Sequence, residues 1–141
     1  GVVTTGNEIF NNRIKDTFTP VIEDKLAEYG CSMSAHEITD DDVSHVELSI
    51  RRLIDNPDLD MIICTGGMSV DPDDKTPLAI RNAGADIISY GAPVLPGAMF
   101  LISYLPDGRP LLGLPGCVMY SRTALLAEVS KWIRECTALQ L

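Results

Sequence analysis

Three short stretches of this chain gather glycine, hydroxyl and carboxylate residues in patterns suited to an anionic ligand: Thr4 to Glu8, Thr65 to Asp74, and Leu114 to Tyr120. The middle one, Thr65-Gly66-Gly67-Met68-Ser69-Val70-Asp71-Pro72-Asp73-Asp74, is the richest. Paired glycines let the backbone come close to a ligand and turn its N–H groups inward, forming an anion-binding hollow. Thr65 and Ser69 add hydroxyls, and Asp71, Asp73 and Asp74 place three carboxylates just before a helix start. Amides for an anion beside hard oxygen donors is what a magnesium-bound phosphate requires. The same residues serve equally well as a tight turn and a helix cap. Asp40-Asp41-Asp42 adds a second carboxylate run, which as a bare motif reads first as a helix cap and solvated turn. Leu114-Pro115-Gly116-Cys117 joins a turn to a helix N-terminus, which also favours an anion, with Cys117 read as a small packing residue. His36 and His45 have no companions for metal or triad chemistry and read as structural, and Trp132 reads as core or a subunit contact.

The elements that must position these residues alternate between strand and helix. Val2-Val3 reads as a short strand, and a helical spacing from about 14 to 29 stops at Gly30, with Pro20 either opening or kinking the helix. Residues 31–38 read as a second strand, followed by a helix through Val46, Ile50, Leu53 and Ile54 that an aspartate of the 40–42 run caps. Met61-Ile62-Ile63-Cys64 is a continuous apolar run, as expected of a strand covered on both faces. Thr76-Pro77 resembles an N-cap followed by proline at the first helical position, opening a helix that Gly84 closes. Strands are predicted near 86–90, 99–105 and 111–114, with an Asp107-Gly108 turn, then a last helix carrying Leu125, Leu126, Val129, Trp132 and Ile133. The expected fold is α/β, a three-layer αβα sandwich around a mostly parallel, mixed sheet. In such a sheet ligands bind at the carboxyl ends of strands, where all three stretches fall.

Bulk properties narrow the classes. The chain has 141 residues, enough for one domain, and it opens inside a strand, which suggests excision from a longer chain. A net charge of −9 argues against nucleic acid, whose affinity comes from clustered Lys and Arg. No apolar run has the roughly 20 residues of a membrane span, and no secretory pattern opens the chain, so a cytoplasmic location is expected. Cys31, Cys64, Cys117 and Cys136 form no C-x-x-C pair and read as reduced thiols.

In order along the chain, these pieces resemble the molybdopterin-binding domain shared by molybdopterin adenylyltransferases and molybdopterin molybdenumtransferases. Thr5-Gly6-Asn7-Glu8-Ile9 resembles the family's Thr-Gly-Asp-Glu-Leu, Ile14 to Asp16 its Ile-x-Asp turn, and Ile38-Thr39-Asp40-Asp41 its Asp-Asp motif. Thr65-Gly66-Gly67-Met68-Ser69-Val70 with Asp74 resembles Ser-Gly-Gly-Val-Ser-Val and its aspartate, Leu95-Pro96-Gly97 stands for Lys-Pro-Gly, and Gly113-Leu114-Pro115-Gly116 matches Gly-Leu-Pro-Gly. The resemblance implies the molybdenum-cofactor biosynthesis protein fold and a pocket for the pterin and its phosphate. Thr5, Gly6, Asp40, Thr65, Gly66, Gly67, Ser69, Pro96, Gly97, Leu114, Pro115 and Gly116 would line it. It further implies Asp41, Asp74 and Glu8 as catalytic residues, with Asp41 and Asp74 holding Mg2+ and Glu8 near the molybdate end.

The implied reactions are adenylyl transfer from Mg-ATP to molybdopterin, or consumption of that adenylate while molybdate is placed on the dithiolene. Insertion is favoured by the Glu8 and Ser69-Val70 matches. Leu95 and Ala98 stand where the family has lysines, and Cys117-Val118 replaces Asn-Pro. Losing cationic contacts, each contributing roughly 1.5–3 kcal/mol, would weaken catalysis before binding. A non-catalytic molybdopterin carrier or sensor is therefore a second expectation. A third is a nicotinamide-nucleotide-processing enzyme, because the chain also resembles the competence-damage protein family. The resembled families form dimers or trimers, so a homo-oligomer is expected.

Overall fold

Strand β1 (Val2–Thr5) is buried at every residue, and so is β3 (Ile62–Thr65), as expected of strands of apolar and threonine residues covered on both faces. A computed structural model of the chain describes residues 1–68, 73–91 and 99–115. Between and after these strands come α1 (Asn7–Phe10), α2 (Phe18–Glu28), β2 (His36–Thr39), α3 (Val43–Ile54), α4 (Lys75–Asn82), β4 (Asp86–Tyr90), β5 (Leu101–Tyr104) and β6 (Pro110–Leu114). The six strands form one sheet in the order β2-β1-β3-β6-β5-β4. β2, β1, β3 and β6 are parallel, and two antiparallel pairings, β6 with β5 and β5 with β4, return β4 to the common direction.

Helices cover both faces, giving the three layers expected. Ile22 and Leu26 of α2 pack on Val2, Ile63, Leu112 and Leu114 on one face. Val46, Ile50 and Leu53 of α3, with Ala79 and Ile80 of α4, pack on Val3, Ile62, Cys64 and Leu111 on the other. Alternate residues of each strand thus feed opposite cores, each large side chain contributing about 1.5–3 kcal/mol. Among the described residues, no helix is long and apolar enough to cross a membrane.

Several boundaries differ from the sequence reading, each for a local reason. α2 starts at Phe18 rather than near 14 because Asp16 accepts the Phe18 and Thr19 amides, leaving Pro20 harmlessly in the first turn. β2 begins at His36 rather than 31, where its ladder with Val2 begins. Asp42 caps α3, accepting the Ser44 amide at 2.9 Å. The N-cap of α4 is Asp74, not Thr76, so Pro77 is the third helical residue, a position where the N–H that proline lacks would have no partner within the helix. The predicted last helix, with Trp132, lies outside the described residues, as do Cys117 and Cys136; Cys31 and Cys64 are free thiols.

At the amino edge of the sheet, Arg109 after the Asp107-Gly108 turn joins two connections. Its Nη1 donates to the carbonyls of Asn56 (3.1 Å) and Leu59 (3.2 Å), its Nη2 to that of Ile54 (2.6 Å) and its Nε to Asp107 (2.7 Å). Arg109→Ala leaves these carbonyls without their cation and is expected to destabilise the fold by about 1.5–3 kcal/mol in urea denaturation. Arg109→Lys should recover only part of that, because an ammonium cannot span the fork.

Candidate functional site at the carboxyl edge of the sheet

Strand register sets the ends of the parallel strands side by side: Thr5 lies opposite Thr39, Thr4 opposite Thr65, and Thr65 opposite Leu114. The chain leaves β1 for β2 on one side and then returns to β3 on the other, so a topological switch point falls between β1 and β3. The loops after β1, β2, β3 and β6 therefore share one edge. Thr5, Gly6, Glu8, Asp40, Asp41, Thr65, Gly66, Gly67, Asp74, Leu114 and Pro115 all belong to it. Ser69, Pro96, Gly97 and Gly116 lie outside the described residues.

At its centre, Gly66 and Gly67 both take positive φ, +85° and +57°. A Cβ on Gly66 would run into the carbonyl oxygen of Thr5, and one on Gly67 would sit 2.6 Å from the Thr76 hydroxyl. The turn is thus pressed between the end of β1 and the first turn of α4, and the Thr76 hydroxyl donates to the Gly66 carbonyl at 2.9 Å. Met68, the next residue, anchors the turn in the core, its sulfur occupying the space that a Cβ on Gly113 would take. That gives Gly113 a reason to lack a side chain.

Two hydroxyls here are exceptions to the rule that buried polar groups are hydrogen-bonded. Thr5 Oγ1 and Thr65 Oγ1 find no hydrogen-bond partner among the described residues, at residue exposures of 3% and 1%. They stand on opposite faces: Thr5 shares the α3–α4 face with Val3, while Thr65 pairs with Thr4 on the α2 face. On the α2 face Thr4 and Thr19 both meet His36 Nε2, at 2.9 and 3.1 Å, so His36 ties β1, β2 and α2 together.

On the β2 side, Gly6 donates its amide to Thr39 O (3.1 Å) and Asn7 donates its amide to Asp41 Oδ2 (3.1 Å). The Asp41 amide answers to Asn7 Oδ1 at 3.3 Å, so Asp41 locks the β1 and β2 loops together. Asp40 meets His45 Nδ1 at 2.8 Å and accepts the Asp42 amide at 3.0 Å. Those two bonds, the His45 one foremost, hold the Asp40 carboxyl below its ordinary range, with the Lys75 charge a lesser contribution. The same bond raises the His45 pKa. On the β3 side, Asp74 stands at the N-cap of α4 without a side-chain capping bond. Tyr90, at the end of β4, has its phenol pKa raised by burial first and by the Asp74 charge second. Glu8 is exposed on α1. Cys64 lies directly below in β3, its thiol pushed up to about 12 by burial, and is no nucleophile.

Among the described residues no three His, Cys, Asp or Glu side chains gather closely enough to hold a metal ion. Asp41 and Asp74 are hard oxygen donors on facing sides of the crevice. This suits magnesium, which is commonly held by one or two carboxylates plus a ligand's phosphates rather than by an all-protein cage. Asn7, Lys75, the Thr76 hydroxyl and Tyr90 are site residues the sequence reading missed. Only Lys75 had a linear signal, its place next to Asp74.

The arrangement is that of an α/β domain whose parallel-strand loops meet at a topological switch point. A family model described as "Probable molybdopterin binding domain" matches residues 1–135, and the chain belongs to that family. Among curated proteins, it is 35% identical over 89 residues to a CinA-like protein of Mycobacterium marinum, covering 62% of this chain and 21% of that protein. The chain thus spans about a fifth of the length of the curated relatives it matches. CinA of Thermoplasma acidophilum superposes with a TM-score of 0.77 at 21% identity, covering 94% of this chain and 95% of that one. The molybdopterin biosynthesis enzyme MoaB of Thermus thermophilus does so at 0.70 and 22%, covering 93% and 95%. These likenesses share the fold.

Gly66→Ala is expected to destabilise the protein by about 2–4 kcal/mol, combining a positive-φ penalty with a backbone clash. Gly30→Ala, also at positive φ (+71°) but with open space around it, should lose only about 1 kcal/mol in the same thermal melts. For the Asp40–His45 pair, the raised imidazole pKa means its stabilisation is complete below the ordinary histidine value and is lost as pH rises through the folded one. The lowered Asp40 pKa removes it again as pH falls through that value. An NMR titration should find His45 titrating above 6.5, returning toward it in Asp40→Asn.

Proposed function

We propose that this domain binds molybdopterin or its adenylate along the carboxyl edge of the sheet and acts in assembly of the molybdenum cofactor. The observation that carries the reading is the pair of buried, unpartnered hydroxyls of Thr5 and Thr65 beside a Gly66-Gly67 turn with no space for side chains. A phosphorylated ligand laid across the switch point would satisfy both, with turn amides facing its phosphate. Asp41 and Asp74 would hold a magnesium ion that arrives with the phosphates, neutralising charge an acidic protein otherwise repels. Gly6, Asp40, Leu114 and Pro115 would line the pocket, joined by Ser69, Pro96, Gly97 and Gly116 from outside the described residues.

The chemistry follows from those placements. The turn amides and the metal would stabilise charge building at the phosphoanhydride, whether adenylyl is transferred from Mg-ATP or the adenylate is consumed. Insertion of molybdate is the favoured step, with Glu8 at its end of the site. A dimer or trimer is the proposed assembly. The family model spans nearly the whole chain, whereas the likeness to CinA-like proteins covers 89 residues. That likeness nevertheless favours a second reading on the same crevice, in which the ligand is a nicotinamide nucleotide.

Calorimetric titration with molybdopterin and its adenylate, with magnesium, tests the first reading: saturable binding is expected. Binding of neither, together with cleavage or deamidation of nicotinamide nucleotides, would replace it with the second. The hydroxyl pair makes a sharper prediction. Thr5→Val and Thr65→Val each delete a group with no partner among the described residues, so stability should hold or rise while ligand affinity falls about 5- to 10-fold. Wild-type affinity in both variants would remove these hydroxyls from the site.

A further inference from the structure

The β3–α4 half of the crevice carries a basic side chain at its mouth. Lys75 is the first residue of α4, and between Arg52 and Arg81 it is the sole Lys or Arg of the sequence. Its position is electrostatically adverse, because the N-terminal end of a helix carries partial positive charge and disfavours a cation. The first turn of α4 contains no acidic residue, in a chain with 20 Asp and Glu. Lys25, Arg51, Arg52 and Arg109 are committed to carboxylate partners, whereas Lys75, like Arg13, Lys15 and Arg81, is exposed and forms no ion pair among the described residues, and of these four it is the one beside the glycine turn. Its position is fixed all the same: the Thr76 hydroxyl, one residue on, is bonded to Gly66 O and pins the first turn of α4 to the glycine turn. Its ammonium also acts on Asp40, which lies beyond β1 on the β2 side, so its charge reaches across the crevice.

Asp73 and Asp74 precede Lys75 and offset part of the cost of its position, and a cation held beside the Gly66-Gly67 turn is placed to meet an anion there. The pocket has its own sign of a missing partner, the buried Thr5 hydroxyl, 3.3 Å from where a Cβ on Gly67 would stand. We propose that Lys75 is the cation that contacts the ligand's phosphate, approaching it from the α4 side while the Gly66-Gly67 amides and the Thr5 hydroxyl hold it from the strand side. The inference rests on the phosphate-site reading above and adds a specificity: a compact ammonium rewards a highly charged terminal phosphate or phosphoanhydride over a neutral or singly charged group.

The test is calorimetric titration of ADP with magnesium into the wild-type protein and into Lys75→Ala, Lys75→Arg and Arg81→Ala. Arg81 lies in the last turn of the same helix and removes the same charge at the far end. Lys75→Ala is expected to weaken binding about 10-fold or more, Lys75→Arg by less than about 3-fold, and Arg81→Ala not measurably. Lys75 is exposed, so Lys75→Ala should fold as the wild type does, with a thermal midpoint unchanged or slightly raised as the adverse charge is removed. Wild-type affinity retained in Lys75→Ala, or equal losses in Lys75→Ala and Arg81→Ala, overturns the role of Lys75 and leaves the phosphate site standing. No affinity of the wild-type protein for Mg-ADP counts against the phosphate site itself, and the role of Lys75 falls with it.

Discussion

The close approach of the Gly66 backbone to the carbonyl oxygen of Thr5 is the constraint on which the rest of this site depends. It brings the exit of β3 against the end of β1, and no side chain fits between them. Because the turn cannot stand off from the sheet, Met68 is delivered into the core over Gly113, and Thr76 is brought within reach of the Gly66 carbonyl. α4 then starts directly above the crevice. One steric contact thus fixes the β3–β1 end, the helix start and the orientation of the turn amides together. The cost is borne by two positive-φ residues, which only glycine adopts without penalty.

Charge is distributed around this frame in a consistent way. Asp41 and Asp42 are used structurally, one locking the β1 loop and the other capping α3, and Asp40 is neutralised by His45. The carboxylate run therefore does more than solvate a turn, although each member also performs the capping or bracing that a bare aspartate run suggests. Asp74 holds the N-cap position without making the capping bond, so that position alone does not account for its carboxylate. An acidic domain that holds an anion would do so, on the proposed reading, with backbone dipoles, a helix start and Lys75 rather than with a basic surface.

Much of the architecture was legible because it was local. The doubly apolar β3, the helical spacing of Val46, Ile50 and Leu53, and the Asp107-Gly108 turn each read directly from neighbouring residues. What escaped depended on pairing between distant segments. Tyr90 comes to the site edge because two antiparallel steps through β5 turn β4 back toward it, a fact of topology with no linear signature. α1 was missed because four residues carry too short a period to show. Thr76-Pro77 has the form of a cap and first-turn proline, yet the Thr76 hydroxyl is taken by Gly66, and the N-cap falls two residues earlier, at Asp74. The motif resemblance pointed to the shared edge before any coordinates did; the orphaned hydroxyls of Thr5 and Thr65 became visible only once burial was known.

The central claim is that a phosphate-bearing ligand lies at the carboxyl edge of the sheet, on the Gly66-Gly67 turn. Amide chemical-shift mapping during titration with molybdopterin adenylate and magnesium tests it most directly. The account predicts the largest shifts at Thr5 to Asn7, Thr39 to Asp41 and Thr65 to Gly67, with little change at the opposite edge around Asn56, Leu59 and Arg109. Saturable shifts confined to that opposite edge, or none at Gly66 and Gly67, would contradict it.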